Sequence, residues 1–144
     1  MERHADARWT GDLKTGKGSI SVGSGAFTGP YSFISRFEGS SAGKRDTNPE
    51  ELLGAAHAAC YSMALSHALA QAGKAPTKVE TTAKVQIEKG DKGFLITRID
   101  LVTRGTVPGL SAAEFRSFAE DTKQNCIVSR ALAAVPMTLD AKLV

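Results

Sequence analysis

The sequence contains little cysteine, and it shows no recognisable export segment. Only two cysteines occur among its 144 residues. The first residues, MERHADARW, are polar and mixed in charge, so we expect no signal peptide and a cytoplasmic protein. In a reducing compartment a pair of cysteines is more often catalytic or redox-active than a structural disulfide.

Concentrated charge is also lacking. The formal net charge is +3, and lysine and arginine are scattered singly among carboxylates. A mild, dispersed excess of this kind is typical of a solvated surface, so we expect no nucleic-acid partner. Apolar residues make up 42% and charged residues 23% of the chain. These values and the length fit one globular domain with a real core.

Neither a membrane span nor a phosphate-binding loop is indicated. The longest uncharged segment has 22 residues, between Glu51 and Lys74. That length could cross a bilayer, but the histidines, serines and many alanines make the segment too weakly apolar, and we expect no membrane association. The glycine-rich run TGKGSISVGSG follows no buried strand and precedes no helix, which excludes a phosphate loop.

The uncharged segment predicts a central helix over residues 48–73. Asn48 and Glu51 have the spacing of a capping box, and Pro49 stands at the first helical position. Gly73 is suited to end the helix in the left-handed conformation. Because no face carries charge, we expect the helix to be buried nearly all round. A second copy of the chain could cover it, so we predict an obligate homodimer with an isologous interface.

The rest of the chain alternates strand patterns with a second helix. We predict an α+β fold in a single domain, 1–144, with an N-terminal meander (5–39), the central helix (48–73) and a C-terminal β-β-α-β part (78–144). The hairpin predicted in the last part has Leu95, Ile99 and Leu101 among its inward-facing residues. The predicted elements are strands at 7–13, 17–22 and 31–38, a loop at 40–46, strands at 79–88 and 94–107, helices at 111–123 and 128–133, and a last strand at 135–143.

The two thiols are the main candidates for chemistry. Cys60 and Cys126 both fall in or beside predicted helices, although a buried cysteine alone is often only a small hydrophobe. A helix N-terminus or a nearby cation makes a thiol reactive, and Arg36 precedes the central helix closely. His57 shares a helix face with Cys60, which suits either an acyl-transfer nucleophile or ordinary packing. A metal site with His67 is disfavoured, because about 15 Å of helix separates the two histidines.

Several ordered motifs resemble the OsmC and Ohr family, and within it the OsmC (osmotically inducible protein C) branch. They are RWTGDLKTGKGSI near the N-terminus, SRFEG, the helix sequence TNPEELLGAAHAACYSMALSHAL, VPG before the second helix, and the second cysteine. The resemblance implies an intertwined homodimer with antiparallel sheets packed around a buried central helix. It also implies thiol-dependent reduction of organic hydroperoxides in oxidative and osmotic stress defence, with no cofactor and no metal.

The resemblance further implies roles for individual residues. Cys60 corresponds to the peroxidatic cysteine, Cys126 to the resolving cysteine, Arg36 to the activating arginine and Glu50 to its carboxylate partner. Where the family usually has proline after the second cysteine, this chain has Ile127. A dithiol, for which the family suggests dihydrolipoyl groups, would reduce the resulting disulfide.

The residue chemistry fits these roles. A Cys60 thiolate attacking a hydroperoxide gives a sulfenic acid and an alcohol, and Cys126 can then close a disulfide. Arg36, held by Glu50, would stabilise the thiolate and the developing alkoxide. An apolar lining would favour alkyl and aryl peroxides, and the candidates for it are Met63, Leu65, Phe37 and Phe115.

Two alternatives stay open. A continuous helix would separate Glu50 from Cys60 by about 15 Å, so we expect either a break near Gly54 to Ala58 or a site built from both subunits. The same fold and thiols could also serve a redox-sensing or ligand-binding module that does not turn over.

Overall fold

The structure, a computed structural model, describes residues 1–39 and 46–144, so the loop predicted at 40–46 falls outside the described residues except for Asp46. Two compact units are found, 1–52 and 53–144, and the single-domain assignment stays a prediction. Strands and helices alternate irregularly, which confirms the α+β class. The elements are β1 (Ala5–Thr10), β2 (Lys17–Val22), β3 (Thr28–Tyr31), α1 (Phe33–Phe37), α2 (Pro49–Gln71), β4 (Lys78–Gly90), β5 (Gly93–Thr106), α3 (Ala112–Asn125), α4 (Ile127–Ala131) and β6 (Met137–Leu143).

The first unit contains an antiparallel meander, β1–β2–β3, as predicted. The strand predicted at 31–38 is wrong, because the chain turns into the short helix α1 instead. Ser32 caps this helix in a capping box in which Ser35 takes the place that glutamate or glutamine usually holds. The box satisfies the first backbone N–H groups, so the helix begins immediately after β3.

Helix α2 begins and ends at the predicted caps. The Asn48 side-chain oxygen accepts a hydrogen bond of 2.8 Å from the Glu51 backbone N–H. At the other end Gly73 has φ +72°, and the Lys74 N–H donates to the carbonyl of Leu69 at 2.9 Å. This arrangement is a Schellman motif, which glycine permits without strain.

The middle of α2 contains no break, so the interruption expected near Gly54 to Ala58 is wrong. Gly54 serves close packing instead, since a Cβ there would lie 3.0 Å from the Ala83 carbonyl oxygen of β4. One face of α2 is buried, but the opposite face is open in the single chain, where Met63 is 74% exposed. The buried face consists of Gly54, His57, Tyr61, Leu65 and Leu69.

The second unit has one sheet in the order β4–β5–β6. Strands β4 and β5 form the predicted antiparallel hairpin. Strand β6 runs parallel to β5, unlike the all-antiparallel arrangement expected from the sequence. The cause is the connection, because α3 and α4 carry the chain back across the sheet before β6 begins.

A bulge in β5 changes which residues face the core. The register shifts between Gln86 and Ile87, so Thr97 has no partner across the ladder. Ile99 and Leu101 beyond the bulge are fully buried as predicted, but Leu95 is 50% exposed. The inward assignment of Leu95 is therefore wrong, because the extra residue reverses the alternation on its side of the bulge.

Helix α3 begins at the predicted capping box of Ser111 and Glu114. Phe115 and Ala119 on its inner face are fully buried. The Tyr61 hydroxyl of α2 donates to the Ala119 carbonyl at 2.7 Å and ties the two helices together. Within residues 1–39 and 46–144, no helix combines the length and the apolar character needed to cross a membrane.

Candidate functional site

Both cysteine sulfurs lie in the second unit and face each other. Cys60 is half-buried on α2, and Cys126 is buried between α3 and α4. Their Sγ atoms are 3.2 Å apart, and both thiols are free. A disulfide bond needs a separation of about 2.05 Å, so closing one requires only a small movement.

Cys126 is held through its backbone by two helices. Its N–H donates to the Thr122 carbonyl at 2.8 Å, and its carbonyl accepts from the Arg130 N–H at 2.9 Å. The residue therefore ends α3 and stands at the N-cap of α4. Ile127 follows at the first position of α4, where the helix also accommodates proline, because an N–H there has no partner within the helix. Unlike proline, Ile127 keeps an N–H that acts on the Cys60 sulfur. The departure from the family pattern thus leaves the turn intact.

The surroundings of the two sulfurs differ. Burial raises the pKa of the Cys60 thiol, and the neighbouring Cys126 raises it further, against the opposing effect of the Val128 and Ile127 backbone N–H groups. Burial also acts to raise the pKa of Cys126, but the N–H and hydroxyl of Ser129 and the thiol of Cys60 outweigh it and lower that pKa. The Cys126 thiol is placed to donate to the Cys60 sulfur at 3.2 Å. Within the second unit, therefore, the groups around Cys60 together raise the pKa of its thiol.

His57 pairs with Ser129 rather than with a sulfur. Its Nε2 lies 2.8 Å from the Ser129 Oγ, and both side chains are buried. Burial lowers the pKa of His57, so its ring is neutral at neutral pH. Sequence reasoning considered His57 as a partner for Cys60 and missed Ser129. The available signal was spacing, because Ser129 follows Cys126 by three residues, as Cys60 follows His57.

Arg36 and Glu50 form a bidentate ion pair in the first unit. The Arg36 Nε lies 3.2 and 3.3 Å from the two Glu50 oxygens, and Nη2 lies 2.9 Å from Oε1. The Glu50 side chain is 9% exposed and that of Arg36 is 40% exposed. The guanidinium also lies 5.1 Å from the centre of the Phe37 ring. Glu50 and Phe37 therefore fix the orientation of the arginine, as the fork geometry requires.

The predicted site residues thus form two pairs, one in each unit. Cys60 and Cys126 come together in the second, and Arg36 and Glu50 in the first. Action of the arginine on Cys60 stays a prediction.

The four residues predicted to form an apolar lining have different surroundings in the structure. Leu65 and Phe115 belong to the fully buried core against which Cys60 packs, whereas Met63 is exposed. Phe37 lies beside Arg36 in the first unit. Among the described residues, no group of three or more His, Cys, Asp and Glu is placed to hold a metal ion.

Solved structures of similar fold include two organic hydroperoxide resistance proteins. OhrB of Bacillus subtilis is 24% identical with a TM-score of 0.76, covering 96% of this chain and 98% of that one. The protein from Elizabethkingia anophelis is 23% identical with a TM-score of 0.78, covering 100% of this chain and 99% of that one. These likenesses establish the fold.

Sequence comparison identifies the family. Peroxiredoxin OsmC of Escherichia coli K12 is 47% identical over 144 residues, which cover 99% of this chain and 97% of the relative. The organic hydroperoxide resistance protein of Xanthomonas axonopodis pv. citri is 36% identical over 91 residues, 62% of each chain. The family model described as OsmC-like protein matches residues 41–140. This chain therefore belongs to the OsmC-like protein family.

Proposed function

We propose that this protein is a thiol-dependent peroxidase that reduces organic hydroperoxides to alcohols in defence against oxidative and osmotic stress. The observation that carries the proposal is the 3.2 Å approach of two free thiols that lie 66 positions apart in the chain. Names of relatives support it, since they include a peroxiredoxin and organic hydroperoxide resistance proteins.

The reaction divides into two steps at sulfur. The Cys60 thiolate attacks the terminal oxygen of ROOH, the O–O bond breaks, and protonation releases ROH and leaves a sulfenic acid on Cys60. Cys126 then attacks that sulfur, an S–S bond forms, and the oxygen leaves as water. A dithiol, such as a dihydrolipoyl group, returns the disulfide to two thiols by exchange.

Activation of Cys60 requires a cation, because burial raises the pKa of its thiol. Arg36 is the proposed source, with Glu50 holding its guanidinium in the fork geometry. Continuous helix separates Glu50 from Cys60 by ten residues, about 15 Å along its axis. We therefore propose that Arg36 and Glu50 of one subunit serve Cys60 of the other.

A homodimer follows from the same reasoning. Beyond Glu51 in the first turn, the open face of α2 carries no charged side chain, and Met63 stands 74% exposed on it. Ile127, directly after Cys126, is 76% exposed. Exposed apolar residues beside a reactive centre favour coverage by a partner, and a second copy supplies a matching face by symmetry.

The test is a single-turnover experiment with cumene hydroperoxide. One equivalent is added to the wild type, Cys60→Ser and Cys126→Ser, and alcohol yield and remaining thiols are measured. We expect one equivalent of alcohol and loss of both thiols in the wild type, no alcohol from Cys60→Ser, and one equivalent followed by a stop in Cys126→Ser.

Excess hydroperoxide with a dithiol then distinguishes a peroxidase from a redox sensor. A peroxidase continues to turn over, whereas a sensor stops after one disulfide. Full alcohol yield from Cys60→Ser, or a stop in the wild type despite the dithiol, would contradict the proposal.

A further inference from the structure

Two side-chain pairs connect α2 with the beginning of α4. Helix α2 presents His57 and Cys60 three residues apart, and the chain entering α4 presents Cys126 and Ser129 with the same spacing. The sulfurs are 3.2 Å apart, and the His57 Nε2 is 2.8 Å from the Ser129 Oγ. Of these two pairs, the proposed reaction uses only the sulfurs, which leaves the His57–Ser129 pair without a role.

The His57–Ser129 pair is placed to fix the geometry of the sulfurs. Both side chains are fully or almost fully buried, so neither can exchange its partner for water without opening the core. Helix α4 has only five residues, and its N-cap, Cys126, makes no capping hydrogen bond through its side chain. The hydrogen bond from His57 to Ser129, one turn further along, adds a buried contact between polar side chains of α2 and α4.

We infer that the hydrogen bond between His57 and Ser129 is a positioning contact that keeps the Cys126 thiol at attacking distance from Cys60 and so favours closure of the disulfide. For turnover, this inference rests on the proposed peroxidase function. The effect on disulfide closure itself does not depend on a peroxide.

The hydrogen-bond arrangement is consistent with the closing step. With the proton on Nε2, His57 donates to the Ser129 oxygen, and the Nδ1 that lacks a hydrogen-bond partner is the unprotonated nitrogen. The Ser129 hydroxyl hydrogen is then available to the Cys126 thiolate. That thiolate attacks the sulfenic sulfur of Cys60, the S–S bond forms as the S–O bond breaks, and the departing hydroxide takes up a proton to give water.

The decisive variant is Ser129→Ala, with Ser129→Thr as the conservative replacement. Ser62→Ala is the matched control, because it removes a 2.8 Å side-chain hydrogen bond from α2 to Thr81 without touching the sulfurs.

Each protein is first equilibrated in mixtures of reduced and oxidised dithiothreitol, and the Cys60–Cys126 disulfide is quantified. We expect Ser129→Ala to lower the equilibrium constant for disulfide formation about tenfold, the size of one lost hydrogen bond. That change raises the reduction potential by about 30 mV.

A second measurement follows the closing step after one equivalent of cumene hydroperoxide. Sulfenic acid is trapped with dimedone, and the adduct is expressed per alcohol released. Slower closure in Ser129→Ala should raise this ratio about tenfold, while Ser129→Thr and Ser62→Ala stay near the wild type.

The outcomes separate the inference from the proposed function. Absence of alcohol from the wild type would refute the peroxidase, and the dithiothreitol equilibrium would then decide the inference alone. Equal equilibrium constants in Ser129→Ala and the wild type would overturn the inference. So would an equal loss in Ser62→Ala, since that result would indicate general loosening of α2.

Discussion

The Arg36–Glu50 pair should contribute more stability than an exposed ion pair, because one of its two partners is buried. Glu50 lies in the first turn of α2 with only 9% of its side chain exposed, and the guanidinium donates to both of its oxygens. Replacing Arg36 with methionine removes the charge and the donors but keeps most of the aliphatic stem. The carboxylate is then left buried without its partner.

The expected magnitude lies between two known limits. Exposed ion pairs contribute about 0.2 to 1 kcal/mol, and breaking a fully buried pair costs about 3 to 5 kcal/mol. Because Arg36 keeps 40% of its side chain exposed, we expect Arg36→Met to lower the free energy of unfolding by about 2 to 3 kcal/mol. Glu50→Gln should cost about 1 kcal/mol, since an amide oxygen still accepts from the guanidinium. The double variant should recover about 2 kcal/mol relative to the sum.

Urea unfolding at one fixed protomer concentration measures this coupling as a double-mutant cycle. Arg36→Lys is the matched control, because it keeps the charge and loses the fork, and it should restore less than half of the lost stability. Additivity of the two single variants within about 0.5 kcal/mol would refute the reasoning. Full restoration by lysine would show that charge alone, rather than fork geometry, fixes Glu50.

Two further predictions concern assembly and pH. Met63→Arg on the open face of α2 should halve the mass measured by sedimentation velocity. The matched control, an arginine at the exposed Leu13, should leave the mass unchanged. An unchanged mass for Met63→Arg would exclude this face as the dimer interface. Hydrogen bonds from the side chain and backbone of Ser111 hold the pKa of Glu114 below its usual value. The stability that this carboxylate contributes is therefore fully present above the unfolded pKa of about 4.3 and is lost as pH falls through the lower folded pKa. The melting-temperature advantage of the wild type over Glu114→Gln should therefore shrink as pH falls below about 4.3, and an advantage that stays constant through this acid range would contradict the assignment.

The bounds of a helix could be predicted well where the sequence has both an N-cap residue at its start and a terminating glycine at its end. Asn48 and Gly73 define α2 to within two residues, since both act through backbone groups close by in the chain. The same kind of signal was present at Ser32 and Ser35, but a serine pair is a weaker form of the capping box, and the flanking aromatic residues favoured a strand.

Features that depend on contacts between distant parts of the chain could not be predicted from the local sequence pattern. The bulge at Thr97 reverses the faces of β5 near Leu95, and nothing in the local alternation indicates where a register slips. The parallel direction of β6 depends on how α3 and α4 cross the sheet, which is a property of the whole second unit.

The candidate site was predictable as residue types and only partly as contacts. Resemblance to a family marked Cys60, Cys126, Arg36 and Glu50, and the structure brings them together as two separate pairs. The resemblance did not mark Ser129, and its three-residue spacing from Cys126 becomes informative only once the buried imidazole of His57 is found opposite it.

The placement of Cys126 in the connection between two parallel strands has a thermodynamic consequence. A disulfide with Cys60 would join positions 66 residues apart and enclose the entire β4–β5 hairpin and α3 in one covalent ring. Closing a ring of that size reduces the entropy of the unfolded chain by the equivalent of about 4 kcal/mol. Oxidation would therefore stabilise the protein against denaturation, and the disulfide form would be harder to unfold than the dithiol form to which a reductant returns it.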